Sequence, residues 1–173
     1  MARTALKGQP VETVGALPQP GDVAPAFTLV KADLSALSLP ELAGKWVILN
    51  VFPSIDTGVC AASVRRFNQE AAALEGTVVV CASMDLPFAL GRFCGAEGIE
   101  NVVAASAFRD PALGQAYGLR LAEGPLTGLL ARAVIVIDPS GKVVDAQLVT
   151  EITQEPDYAR ALAAVQPDRT ART

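Results

Sequence analysis

The chain has 173 residues, 51% hydrophobic and 18% charged, enough apolar matter for one globular domain with a sizeable core and too much for a disordered chain. Its formal net charge of −4 argues against nucleic acid or an anionic membrane surface as a partner, and no apolar run approaches the ~20 residues that span a bilayer. The complete lack of histidine removes Ser-His and Cys-His catalysis, HExxH zinc sites and every His-ligated metal.

In chain order, residues 1–20 read as a small N-terminal extension. Thr4-Ala5-Leu6-Lys7 and Gln9-Pro10-Val11-Glu12-Thr13-Val14 form a hairpin across Gly8, and Pro18-Gln19-Pro20-Gly21 breaks the chain. Phe27-Thr28-Leu29-Val30 is a short strand and Ser38-Leu39-Pro40-Glu41-Leu42 a helical turn. Trp46 to Phe52 is a continuous apolar run, the signature of a strand buried on both faces. In the helix that follows, over 59–74, Val64, Phe67, Ala71 and Leu74 recur at helical spacing. Next come a strand over 77–83, a short helix within 86–95 that ends near Gly95, a strand over 101–104 and a short helix over 111–117. A loop covers 124–130. Strands over 132–138 and 142–149 pair as an antiparallel hairpin around Pro139-Ser140-Gly141, a helix covers 156–165, and the polar tail 166–173 frays. The order β-α-β-α, then ββ, then α, predicts an α/β chain of the thioredoxin-like type: one domain over 1–173, with a mixed central sheet flanked by helices. The N-terminus lacks the apolar core of a signal peptide, so a cytoplasmic location is expected.

Of the three cysteines, Cys60, Cys81 and Cys94, none forms a CxxC pair. Cys81 lies inside the apolar strand over 77–83 and reads as core. Cys60 lies where the buried strand hands over to a helix, in or near its first turn. Unpaired backbone amides and the positive end of the helix dipole gather there, which favours a thiolate. Thr57, three residues earlier, is placed to cap that helix, and its hydroxyl is within reach of the sulfur or of an oxygen bound beside it. Pro53 fixes the backbone as the strand ends. A free cysteine is ordinarily a small buried hydrophobe; the strand–loop–helix setting is what lifts Cys60 above that reading.

The string Phe52-Pro53-Ser54-Ile55-Asp56-Thr57-Gly58-Val59-Cys60-Ala61-Ala62-Ser63-Val64-Arg65, with its PxxxTxxC core, resembles the active-site segment of the peroxiredoxins, and in particular of the thiol peroxidases, the atypical two-cysteine members. Asp85-Leu86-Pro87-Phe88-Ala89 continuing through Arg92-Phe93-Cys94-Gly95-Ala96-Glu97-Gly98 is similar to a second stretch of that family. The segments 124–133 and 147–152 are similar to two more, so the likeness runs from about residue 8 to 165.

The resemblance implies a thiol-dependent peroxidase that uses no metal and no organic cofactor, acting on hydrogen peroxide or alkyl hydroperoxides. It makes Cys60 the peroxidatic cysteine, Cys94 the resolving cysteine of an intrasubunit redox-active disulfide, and Pro53, Thr57 and Arg132 the groups around sulfur and peroxide. It also implies a homodimer re-reduced by thioredoxin. Read without it, Arg132 is a surface ion pair, since arginine is mostly exposed; read with it, Arg132 opens a strand at the sheet edge where ligands gather and faces the sulfur. Arg65 and Arg66 read as the solvated face of their helix, and Asp56 is expected to point away from the sulfur, whose ionisation it opposes. Leu126 and Leu129 hint at room for an alkyl chain. Two other readings stand beside this one. A thioredoxin-like thiol–disulfide exchanger requires a CxxC, but Thr57 stands where its first cysteine belongs. A redox-sensing module would use the same pair of cysteines as a switch without turnover.

Overall fold

A computed structural model describes residues 1–165; the tail read as frayed, 166–173, lies outside the described residues. The elements in order are β1 (Arg3–Leu6), β2 (Gln9–Glu12), β3 (Thr28–Lys31), β4 (Ala36–Ser38), a 3-10 turn (Leu39–Leu42), β5 (Trp46–Val51) and α1 (Gly58–Ala71). They continue with β6 (Thr77–Ser83), α2 (Pro87–Glu97), β7 (Val103–Ser106), α3 (Ala112–Gln115), β8 (Ala133–Ile137), β9 (Val143–Leu148) and α4 (Tyr158–Ala164). The seven-stranded sheet runs β4-β3-β7-β6-β5-β8-β9, and β1 and β2 form the expected separate N-terminal hairpin. Leu6 pairs with Gln9, so Lys7-Gly8 is a two-residue turn, with φ of 50° and 82°, the left-handed geometry that tight hairpins require.

The sheet is mixed. β5 runs parallel to β6 and β6 parallel to β7, while β8 is antiparallel to β5, with Val51 opposite Ala133. Alternation along β5 separates two cores. Val47, Leu49 and Val51 face a cluster with Leu29, Leu42, Leu113, Tyr117 and Ile135; Ile48 and Phe52 face Cys60, Val64, Phe67, Leu90, Val134 and Ala161. Helices α1, α2 and α4 therefore cover one face, and α3 with the 3-10 turn covers the other, the layered arrangement of the thioredoxin-like fold. Among the described residues no helix is long and apolar enough to cross a membrane.

Several element limits differ from the sequence reading. β4 was not expected: three residues are too few to show a period, and its partner β3 supplies the pairing. The strand expected over 101–104 is Val103–Ser106, because Val80 on β6 pairs with Val103 and sets the register. The helix expected over 111–117 has only four residues. The helix expected to stop near Gly95 runs on to Glu97, where Gly98, at φ 64°, caps it in the left-handed conformation.

Candidate active site

Two facts of topology bring the site together. Parallel β5 and β6 end at the same sheet edge, and from there β5 passes through 53–57 into α1. Antiparallel β8 begins at that same edge, because its first residue, Ala133, lies opposite Val51, the last of β5. Arg132 immediately precedes β8 and so emerges beside the loop that leads to Cys60.

Cys60 is fully buried and Arg132 only 2% exposed. Arg132 Nη2 donates to Cys60 Sγ at 3.2 Å and its Nε to the carbonyl of Ile152 at 2.9 Å. Nη1 is buried without a partner. A guanidinium withdrawn this far from water needs anionic or strongly polar company, and the sulfur is one such group. Arg132 is therefore buried against Cys60 and is not a surface ion pair.

Cys60 is the third residue of α1, whose first-turn amides have no intrahelical acceptor. Thr57 is the N-cap residue by position, but its side chain does not cap the helix as expected, nor does it reach the sulfur. Its hydroxyl donates to the carbonyl of Ser54 at 3.0 Å. The Thr57 amide also bonds that carbonyl, at 3.2 Å, in a tight turn. Pro53 is buried directly after Phe52. Behind the sulfur, Ser63 donates to the Cys60 carbonyl at 2.7 Å and accepts from Asn50 Nδ2 at 3.1 Å, which ties the first turn of α1 to β5.

The structure meets the expectations for the neighbouring charges. Asp56 points outward to Arg92 at 3.2 Å, Arg65 pairs with Glu97 at 2.6 Å and Arg66 with Glu70 at 3.0 Å, all exposed. Cys81 is fully buried core, its thiol pushed up to about 12 by burial. Cys94 lies on α2, half-buried, and burial raises its thiol above the ordinary range as well. All three cysteines are free, so Cys60 and Cys94 are not bonded to each other here. Leu126 packs with Val11, Leu121, Ala131 and Ile152 under the N-terminal hairpin, where it supports the segments that flank Arg132.

Asp85 is a residue the sequence reading left without a role. Its carboxylate accepts from Ser54 Oγ at 2.8 Å, from the Ile55 amide at 2.7 Å and from the Ser83 hydroxyl. The only sign of it in the sequence is its place just after an apolar strand, inside one of the stretches that carry the resemblance.

The profile of the redoxin family matches residues 19–162. The chain is 56% identical to the thiol peroxidase of Mycobacterium tuberculosis over 165 residues, covering 95% of this chain and 99% of that one. It is equally similar, at 56% over 165 residues and with the same coverage, to the thiol peroxidase of Corynebacterium glutamicum. Among solved structures it is similar to the peroxiredoxin-like protein of Aquifex aeolicus, with a TM-score of 0.90 at 42% identity over 94% of this chain and 95% of that one. The chain belongs to the redoxin family and, within it, to the thiol peroxidases.

Proposed function

We propose that this chain reduces hydrogen peroxide and organic hydroperoxides at Cys60, with Cys94 as the resolving thiol and thioredoxin as the reductant. The observation that carries the reading is the buried contact between Cys60 Sγ and Arg132 Nη2, at 3.2 Å, at the start of a helix. The Cys60 sulfur, as a thiolate beside the guanidinium, attacks one peroxide oxygen. An S–O bond forms, the O–O bond breaks, and the departing hydroxide or alkoxide takes a proton to leave as water or alcohol. The unpaired Nη1 is available to the oxygen on which charge develops, and the amides of the first helical turn add to the same field. The Thr57 proton is engaged by Ser54, so its oxygen keeps lone pairs for the O–H of the incoming peroxide.

Cys60 is left as a sulfenic acid. The Cys94 thiol then attacks that sulfur, forming the disulfide and releasing water, and a thioredoxin dithiol restores both thiols while itself becoming a disulfide. Disulfide geometry requires the two Cα atoms within about 7 Å, and the two thiols sit on separate helices, so we take local movement of these segments as part of this step. α2 suits such a movement: Gly91 and Gly95 lower its helical propensity, and exposed pairs, Arg65–Glu97 and Arg92–Asp56, are its ionic ties to α1 and to the loop before it. The resemblance to thiol peroxidases further supports a homodimer that works in the cytoplasm. The test is peroxide-dependent NADPH oxidation with the protein, thioredoxin and thioredoxin reductase. Sustained consumption for as long as NADPH lasts is expected; a single equivalent of oxidation followed by arrest would point to a redox switch.

A further inference from the structure

Building on the peroxidase reading, we propose that Asp85 is the positioning residue of this site: its carboxylate holds the loop over 53–57 in the one shape in which Cys60, Thr57 and Arg132 converge on a peroxide. Asp85 follows the end of β6, beside the end of β5, and reaches across to the loop. Ser54 Oγ donates to it at 2.8 Å, the Ile55 amide at 2.7 Å, and the Ser83 hydroxyl completes the set. All three partners are donors, so an ionised carboxylate, which only accepts, satisfies them together.

The chain of contacts continues to the helix. Ser54 Oγ accepts from the Asp56 amide at 3.2 Å, and the Ser54 carbonyl accepts from the Thr57 amide at 3.2 Å and the Thr57 hydroxyl at 3.0 Å. Thr57 is the N-cap of α1, three residues before Cys60. The orientation of the Thr57 hydroxyl thus depends on Ser54, and that of Ser54 on Asp85. The other carboxylate of this region, Asp56, faces outward to Arg92 and cannot substitute. Asp85 also directly precedes Leu86 and Pro87, where α2, the helix that carries Cys94, begins.

This role is separable from bulk stability. Reaction with a peroxide requires sulfur, hydroxyl and guanidinium in one aligned arrangement, where a displacement of about 1 Å costs on the order of a hundredfold. Alkylation by iodoacetamide requires the thiolate and a transient opening over the buried Cys60, but not that alignment. In single-turnover measurements Asp85→Ala should slow peroxide oxidation of Cys60 by about tenfold or more, while Cys60 alkylation stays within roughly threefold of wild type or rises. Ser54→Ala removes one relay of the same path and should show a smaller loss of the same selective kind, which keeps the test decisive if Asp85→Ala does not fold. Equal oxidation rates in wild type and variants would overturn the role of Asp85 alone, as would oxidation and alkylation falling by the same factor. A wild-type protein that peroxide fails to oxidise would instead overturn the peroxidase reading and this inference with it.

Discussion

Arg132 Nη2 lies 3.2 Å from Cys60 Sγ, and both residues are withdrawn from solvent. The pair joins segments 72 positions apart in sequence, and it exists because β8 runs antiparallel to β5 and begins at the edge where β5 ends. Its partner contact, Arg132 Nε to the Ile152 carbonyl at 2.9 Å, fixes the guanidinium plane, so one terminal nitrogen meets the sulfur and the other stays free.

Removing the guanidinium should slow the first oxidation. Arg132→Met withdraws the positive charge beside the sulfur and a donor toward the departing oxygen, and a loss of about tenfold or more, ~1.4 kcal/mol in the barrier, is expected in single-turnover oxidation. Arg132→Lys should recover only part of the rate, because an ammonium cannot engage Ile152 and the sulfur as one planar fork. Unchanged oxidation in Arg132→Met would separate the contact from the chemistry.

Cys94→Ser should split the cycle. Sulfenic acid formation on Cys60 survives, since it needs no second thiol, and thioredoxin-supported turnover stops. Labelling with a sulfenic-acid reagent after one equivalent of peroxide reads the first effect, and NADPH consumption reads the second. A variant that turns over normally with thioredoxin would remove Cys94 from the resolving role.

Acid should loosen the N-terminal hairpin through Glu151. Its carboxylate accepts from the amides of Thr153, Gly8 and Lys7, which lower it from 4.5 to about 2. The folded-state value is depressed, so the stabilisation is fully present above the unfolded value near 4.5 and is lost as pH falls toward about 2. The group is exposed and the effect local, but Ile152, whose carbonyl holds Arg132, is its next neighbour. Amide exchange at Gly8 and Thr153 should accelerate relative to the core across that window, and Glu151→Gln should abolish the pH dependence. Protection that stays constant through the window would contradict this account.

Much of this arrangement was legible in the residues, and what was not depends on contacts distant in sequence. The run 46–52, apolar at every position but Asn50, and the helical spacing of Val64 and Phe67 located Cys60 at a strand–helix junction, because both signals are local. The hairpin at Lys7-Gly8 was legible from its turn residue for the same reason. Arg132 was different: local pattern favoured a surface arginine, and only the resemblance aimed it at the sulfur, since antiparallel pairing of β8 with β5 leaves no periodic trace. Thr57 occupies the N-cap position, but its hydroxyl does not cap the helix; its partner depends on the turn at Ser54, below the resolution of any sequence pattern. Asp85 gave little local signal, because two of its three donors, Ser54 and Ile55, lie in a loop that is adjacent only in the fold.

Cys81 should be chemically silent in the native protein. Burial disfavours its thiolate and pushes the thiol up to about 12, so it is neutral at pH 8, and it lies inside the central strand β6. Iodoacetamide at pH 8, followed by peptide mass analysis, should label Cys81 only after denaturation. Rapid native-state labelling would show that β6 opens far more readily than its packing implies.

The most direct measurement of the central claim is peroxide consumption by wild type and by Cys60→Ser in the thioredoxin-coupled assay. A serine hydroxyl is not ionised at neutral pH, and the chain has no histidine to activate it, so the variant should show no turnover above background. Retention of more than about a tenth of wild-type turnover, a difference of only ~1.4 kcal/mol in the barrier, would contradict the assignment of Cys60 as the thiol that attacks peroxide.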